Sequence, residues 1–366
     1  MTAGSTDEPF AAPFEPFAGA RSSGSGEVTH LRDRDPGDGV VFTVDECWHG
    51  GWLGLSTLVL DDGGFRMATD ADPAPAGHLP GTILPGFRDA HVHLGLIDGS
   101  LLADGGIVAV DDFGWDLDIA RTWPGDAALP EVRFAGRFLT SPGGYPTHDG
   151  WAPAASIETV VSPEQAPIAV NRQLDAGATF IKITLDSEDG PVFDDATLCA
   201  IVGHAHSRGV TVAAHVQGVG QAERAFEAGV DRLAHSPWTE RLDDRLLASM
   251  ALAQSWVSTL DIHGWGRFGA AFEIASDNVR RFHAAGGMVV YGTDLGNGPL
   301  PVGVNERELL ALEHAGLGMD AVVAAIAAPA FGTRVSHLRQ ERTGGPAQWL
   351  SGSVVLDGSD LKERLT

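Results

Sequence analysis

A chain of 366 residues, 43% hydrophobic and 20% charged, has the composition of a globular protein with room for one large domain and a smaller one. Its formal net charge of -25 repels nucleic acid and anionic membranes, and no run of 18 apolar residues offers a membrane span. MTAGSTDEPF lacks the basic and apolar regions of an export signal, and the two cysteines, Cys47 and Cys199, are far apart, so a reduced, cytoplasmic protein is expected.

Residues 1–38, rich in Gly, Ser, Pro and Asp, read as a flexible arm. From Val40 to Leu84, the runs VVFTV, WLGLSTLVL and GTIL are separated by DDGG and a Pro- and Gly-rich segment, which predicts small antiparallel strands. Beyond residue 85, strands alternate with amphipathic helices. The candidate strands are FRDAHVH, GIVAVDD, VRFAGRFL, TFIKITL, VTVAAHV, RLAHS, WVSTLDI and GMVVYGTD. Ser162-Pro163-Glu164-Gln165 reads as a helix start, with Ser162 as N-cap and Gln165 placed for a capping box. Further helices are expected in DDATLCAIVGHAHSRG, GQAERAFEAG, DDRLLASMALAQ and SDNVRRFHAAGG, several ending in Gly. Eight strands with intervening helices over roughly 250 residues is the rhythm of a (β/α)8 barrel. The tail SGSVVLDGSD reads as one more β segment that returns to the N-terminal sheet.

Polar residues collect at the ends of those strands. In LPGFRDAHVHL, His91, His93 and Asp89 share one strand face. Strand four carries Lys182, strand five His215, strand six His235 and strand eight Asp294. Alone, each has an ordinary reading: a wet strand face, a core histidine with its hydrogen bonds met, a turn cap, a snorkelling lysine. Together they fall where a barrel brings its strand ends to one mouth. Lys182 carries further weight, because only two of the 24 basic residues are lysines and the other, Lys362, lies in the polar tail. A desolvated lysine amine can lose its proton and act as a nucleophile, whereas arginine stays charged.

LPGFRDAHVHL, RFAGRFLTSPGG, FIKI, VAAH, AHS and YGTD, in this order, resemble the amidohydrolase superfamily, most closely its imidazolonepropionase- and prolidase-like branch. The resemblance runs from about Val40 to the tail, where SVVLDGSD is similar to the family's closing strand. It implies an α/β fold: a distorted (β/α)8 TIM barrel over 85–344 and a small β-sandwich built from 39–84 and 345–366. It assigns His91 and His93 to one metal ion shared with Asp294, and His215 and His235 to a second. Lys182, carbamylated by carbon dioxide, would bridge the two. The donor set suits Zn2+ first, with manganese, cobalt or iron open. The implied activity is hydrolysis of an amide, carbamate, lactam or related ester bond, or of a dipeptide. Two ions would activate a bridging water, and Asp294 would be the general acid and base.

Aromatic residues after the strands point to an apolar or aromatic small-molecule substrate: Trp115, Tyr145, Trp151, Trp238 and Trp265, with His148, Asp261 and His263 as orienting groups. Departures from the family pattern concern the substrate. Gln217 stands where relatives carry a second histidine, Tyr145-Pro146 interrupts a GGHG-like loop, Ala234 replaces a Glu, and Asp111-Asp112 stands for Arg-Asp. Only Arg137 and Arg267 are candidates to clamp a free carboxylate. Alternatives are a mononuclear deaminase or cyclic-imine hydrolase of the same superfamily with Lys182 unmodified, a lactonase or decarboxylase, or a non-catalytic binding barrel. Association into a homo-oligomer is also expected.

Overall fold

β1 (Val40–Trp48) alternates inward and outward side chains along VVFTVDECW, and its inward residues Phe42 and Val44 are fully buried. This is a computed structural model describing residues 39–339 and 342–365, so the arm expected at 1–38 lies outside the described residues. β2 (Trp52–Leu53), β3 (Ser56–Asp61), β4 (Gly64–Met67) and β5 (Gly77–Pro85) follow. The DDGG turn between β3 and β4 closes with Gly63 N donating to Asp61 Oδ1 over 2.8 Å.

The chain then alternates strands with helices. β6 (Phe87–Val92) and β7 (Ile107–Asp112) lead to α1 (Leu117–Ala120), and β8 (Glu131–Phe134), β9 (Phe138–Thr140) and β10 (Ile157–Thr159) lead to α2 (Ala166–Asp175). Next come β11 (Ile181–Asp186), α3 (Asp195–Ser207), β12 (Val212–Gln217), α4 (Gln221–Glu227), β13 (Arg232–Leu233), α5 (Asp244–Ala251), β14 (Ser255–Val257), α6 (Ala270–Ala284) and β15 (Met288–Val290). α7 (Glu306–His314) and α8 (Met319–Ile326) follow, then β16 (Val335–Leu338), α9 (Pro346–Leu350), β17 (Val354–Leu356) and α10 (Gly358–Leu365). Among the described residues no helix is long and apolar enough to cross a membrane.

One seven-stranded sheet has the order β17-β16-β5-β1-β3-β4, with β2 on β1, and so draws strands from both ends of the described chain. Its β1–β5 pair is parallel and its other ladders are antiparallel. Gly81 is required where β5 meets β16: a Cβ there would sit 2.2 Å from the Leu338 carbonyl oxygen, and its φ is +106°.

The remaining strands form two parallel sheets, β6-β7-β8 and β10-β9-β11-β12-β13-β14-β15. The expected third strand is broken at Ala135–Arg137 into β8 and β9, so the ladders are not continuous around eight strands. Single backbone bonds cross the gaps. Thr179 N donates to Phe134 O (3.0 Å) on one side, and Ala90 N to Tyr291 O (3.0 Å) and His93 N to Leu295 O (2.8 Å) on the other. Small and aromatic residues, including Ala90, Phe113, Ala213, Ala234 and Val257, pack together on the strands, apart from the larger cluster they share with the helices.

Several local expectations shift. Ser162 precedes a short 3-10 turn, and Gln165 Oε1 accepts from Val161 N instead of closing a capping box. α6 begins at Ala270, six residues before SDNVRRF, because Phe272 and Ala275 extend its buried face. The tail forms β17 but continues as α10, whose only buried residue, Leu361, joins the N-terminal sheet's core.

Candidate metal centre

His91, His93, Lys182, His215, His235 and Asp294 come together, each at most 6% exposed; all but Lys182, the second residue of β11, lie in the C-terminal half of their strands or just beyond them. β6 carries His91 near its end, and His93 follows it on the same face, their ring centroids 5.3 Å apart. His235 lies two residues past β13 and packs against both His91 (4.7 Å) and His215 (5.0 Å). Asp294 sits in the left-handed region at φ +59°, an uncommon setting for a residue other than glycine. Gly292 permits the close approach of this segment to β6, since a Cβ there would meet the His91 amide nitrogen at 3.0 Å.

Asp294 Oδ1 lies 3.1 Å from His91 Nε2 and 3.2 Å from His93 Nε2, and Asn297 Nδ2 donates to both carboxylate oxygens. Burial pushes this carboxyl up, but the neighbouring imidazoles and the Asn297 amide outweigh it and hold it at about 2. Burial pushes His91 and His235 well toward the neutral form and His215 in the same direction, and the neutral form is the one that binds metal. The other ring nitrogens of two of them are occupied: His91 Nδ1 pairs with the Ala234 carbonyl (2.8 Å) and His235 Nδ1 with Thr259 Oγ1 (3.0 Å).

A divalent ion fits these residues. The ligand atoms of His91, His235 and Asp294 all lie within 4.8 Å of one another, and the Nε2 atoms of His91 and His215 are buried with no hydrogen-bond partner. The resemblance would place His91 and His235 on different ions, whereas here they share one group with Asp294. Lys182, on β11, has its Nζ 4.8 Å from the Phe113 ring centroid, and burial lowers its amine to about 7. Among the described residues no ion pair holds it.

The aromatic candidates divide. Tyr145 stacks on His215 (4.7 Å), Trp238 meets both His215 and His235 edge-on (5.7 and 5.5 Å), and His263 lies against Trp238 (5.0 Å). Trp151 covers His93 at 5.3 Å. Trp115 instead packs into the core against Gly95, and His148 is exposed with no ring contact to the cluster. Asp261 is likewise turned away, buried against Arg307 and Asn305. Arg137 faces Glu158 at 3.8 Å, and Arg267 is exposed.

Of three further contributors, Phe113 and Asp186 were not singled out from the sequence, and Asp112 was noted only beside Asp111. Phe113 stacks under His91 at 4.2 Å, and Asp186 Oδ2 lies 3.5 Å from His215 Nε2. Asp112 accepts from Leu94 N and Gly114 N just past the His91 strand. Asp112 and Asp186 close β7 and β11 as strand-end carboxylates, the signal by which they could have been found.

No family model matches the chain. Proteins of Mycobacterium tuberculosis and Mycobacterium bovis named only as uncharacterized are 28% identical, over 65% of this chain and 70% of theirs. Among solved structures, a Xaa-Pro dipeptidase with methionine in its active site superposes with a TM-score of 0.70 at 18% identity, covering 88% of this chain and 100% of that one. An ochratoxinase of A. niger gives 0.70 at 19% identity, covering 88% and 95%, and phenylurea hydrolase B gives 0.67 at 15%, covering 87% and 96%. The described chain therefore shares the α/β fold of these solved structures.

Proposed function

We propose that the protein is a metal-dependent hydrolase that cleaves an amide, carbamate, lactam or related ester bond of a small, apolar or aromatic molecule. The observation that carries this reading is the convergence of His91, His235 and Asp294 on one point, beside the buried Lys182 and His215. Similarity to a dipeptidase, an ochratoxinase and a phenylurea hydrolase supports it. In this reading the two parallel sheets are one distorted (β/α)8 barrel whose strand ends supply the ligands, and the sheet built from both chain ends is a separate small domain. His91, His93 and Asp294 would hold one ion and His215 and His235 another, zinc being the best match to the donors.

Bound ions of this kind lower the pKa of a coordinated water and polarise a carbonyl oxygen. The chain's own groups do the rest. His91 and His235, fixed through their Nδ1 atoms, present Nε2 toward the cluster. Asp294 turns Oδ1 to the histidines, and its carboxylate takes the proton of the attacking water and returns it to the leaving nitrogen or oxygen. The Lys182 amine would attack carbon dioxide, forming an N–C bond and releasing a proton, and its new carboxylate would add an oxygen donor to the ligand set. Tyr145, Trp151, Trp238 and His263 wall the mouth and favour a ring-bearing substrate over one that needs a cationic clamp.

The test pairs metal analysis of the purified protein with hydrolysis of a panel of aryl amides, aryl carbamates, lactams and dipeptides. Asp294→Asn is expected to keep most of the metal and lose nearly all turnover. Near-wild-type turnover in that variant sinks the reading. A second reading, with one ion per chain, follows from the single grouping of His91, His235 and Asp294, and a metal content of one with Lys182 unmodified selects it.

A further inference from the structure

β11 ends on an acid. Along IKITLD every second side chain shares a face, so Lys182, Thr184 and Asp186 project together. The neighbouring β12 runs parallel and pairs Thr184 with His215 and Asp186 with Gln217, which puts His215 on that same face. The pairing continues one bond past the strand, where Ser187 N donates to Gln217 O over 3.0 Å. Asp186 is thereby fixed beside a candidate ligand, and it is 2% exposed.

Its two oxygens have different surroundings. Oδ1 accepts from the amides of Glu188 (2.9 Å) and Asp189 (3.0 Å), which closes the turn after β11 and sets the plane of the carboxylate. Oδ2 is turned to His215, 3.5 Å from Nε2. That nitrogen is buried without a hydrogen-bond partner, so proximity and not a hydrogen bond joins the pair. The ring itself is held by Tyr145, stacked on it at 4.7 Å, and by Trp238, edge-on at 5.7 Å.

The same arrangement occurs once more in the cluster. His91 Nε2 is likewise buried without a hydrogen-bond partner, and it faces Asp294 Oδ1 at 3.1 Å. Two donors about 2.0–2.1 Å from one tetrahedral zinc ion stand about 3.3–3.4 Å apart. Both pairs lie close to that separation. A carboxylate that ligates a metal is commonly oriented by hydrogen bonds to its other oxygen, as the two amides do here for Asp186.

We propose that Asp186 gives Oδ2 as a ligand to the second divalent ion, the one held by His215 through Nε2 and by His235. The assignment rests on the metal-dependent reading above. It supplies the second ion with an anionic donor that needs no modification of Lys182.

The experiment titrates the metal-free full chain with Zn2+ against a chromogenic chelator. In parallel, NMR of the zinc-loaded protein with 15N-labelled histidine reads which ring nitrogen of His215 carries the metal. Wild type is expected to bind two ions per chain, with His215 metallated on Nε2. Asp186→Asn keeps the volume and the acceptor of the turn. It is expected to bind the first ion as wild type does and the second roughly 10–100-fold more weakly, with unchanged circular dichroism. Asp186→Ser, whose hydroxyl can also accept in the turn, serves if the asparagine variant does not fold. The assignment is overturned if the folded variant binds both ions with wild-type affinity, or if wild type binds a single ion. It is also overturned if His215 carries the metal on Nδ1 and a proton on Nε2, which would leave Asp186 as a positioning residue for the ring. A wild-type chain that binds no Zn2+ overturns the metal-dependent reading as well, so the two failures are told apart.

Discussion

Thr293 donates twice to Asp89, from its amide over 3.0 Å and from its hydroxyl over 2.5 Å. Asp89 also accepts from the His91 amide over 3.1 Å and is fully buried. This one carboxyl group joins the strand that carries two of the histidines to the segment that carries Asp294. It spans a seam that no continuous ladder closes, and with backbone bonds such as Asp294 N to His91 O (2.8 Å) it helps to set the spacing of the candidate ligands.

Thr293→Val removes the hydroxyl and leaves the Asp89 carboxyl short of a buried donor. A loss of about 1–3 kcal/mol in unfolding free energy is expected, read by urea denaturation, with Thr293→Ser recovering most of it. A valine variant as stable as wild type would show that the seam is held elsewhere.

Thr259 sets the ring of His235 through its hydroxyl. Without that bond, Thr259→Val should bind metal on the order of 10–100-fold more weakly, measured by competition with a chromogenic chelator. Thr259→Ser should stay near wild type. Equal affinity in all three proteins would mean that His235 is not a ligand.

Under the proposed reading, carbamylation of Lys182 would make activity depend on dissolved carbon dioxide. Metal-free protein reconstituted in degassed buffer is expected to regain little activity, and added bicarbonate to restore it. Labelled bicarbonate should give a carbamate carbon resonance that Lys182→Arg lacks. Full recovery in degassed buffer, with no such resonance, would leave Lys182 unmodified.

Glu308 accepts from the amides of Leu260 and Asp261, and burial raises its carboxyl to about 7. The folded state therefore holds this proton more tightly than the unfolded chain does. The resulting stability is complete below the ordinary glutamate range near 4.5 and is lost as the pH rises through 7. That contribution is up to about 3 kcal/mol. Since Glu308→Gln cannot titrate, its stability deficit against wild type should shrink between pH 4.5 and 8. A deficit independent of pH would remove the titration.

Trp256 and Phe282 stack with centroids 3.9 Å apart and planes 3° from parallel, binding β14 to α6. Trp256→Ala should cost about 3–5 kcal/mol, measured by chemical denaturation, with the metal content of the folded protein unchanged. A loss below 1 kcal/mol would mean that the site collapses around the smaller side chain.

The polar residues of the cluster were legible because β-alternation and order along the chain are local properties: His91, His93, Lys182, His215, His235 and Asp294 were all named from their places on predicted strands. Which nitrogen meets which oxygen was not legible, because it depends on where separate strands stand around the site. The same holds for Phe113 under His91, whose hydrophobicity suits any core position. Trp115 looked like a pocket residue for a related reason, since an aromatic after a strand can turn outward or pack home, and the absence of a side chain at Gly95 is what receives it. α10 escaped because SVVLDGSD carries a strand and a helix start within eight residues, and Asp357, which accepts from Ser359 N and Asp360 N, turns one into the other.

β5 reaches β16 across roughly 250 residues of chain, pairing Pro85 with Val335 and Thr82 with Leu338. A ribosome therefore releases β1 to β5 long before their partner exists. Until then, one edge of β5 presents unpaired backbone groups, and in Gly81 it carries the residue that a later carbonyl must approach. Completion of this sheet is a late, long-range event, so the order of synthesis makes the last tenth of the chain the lock on its first strands.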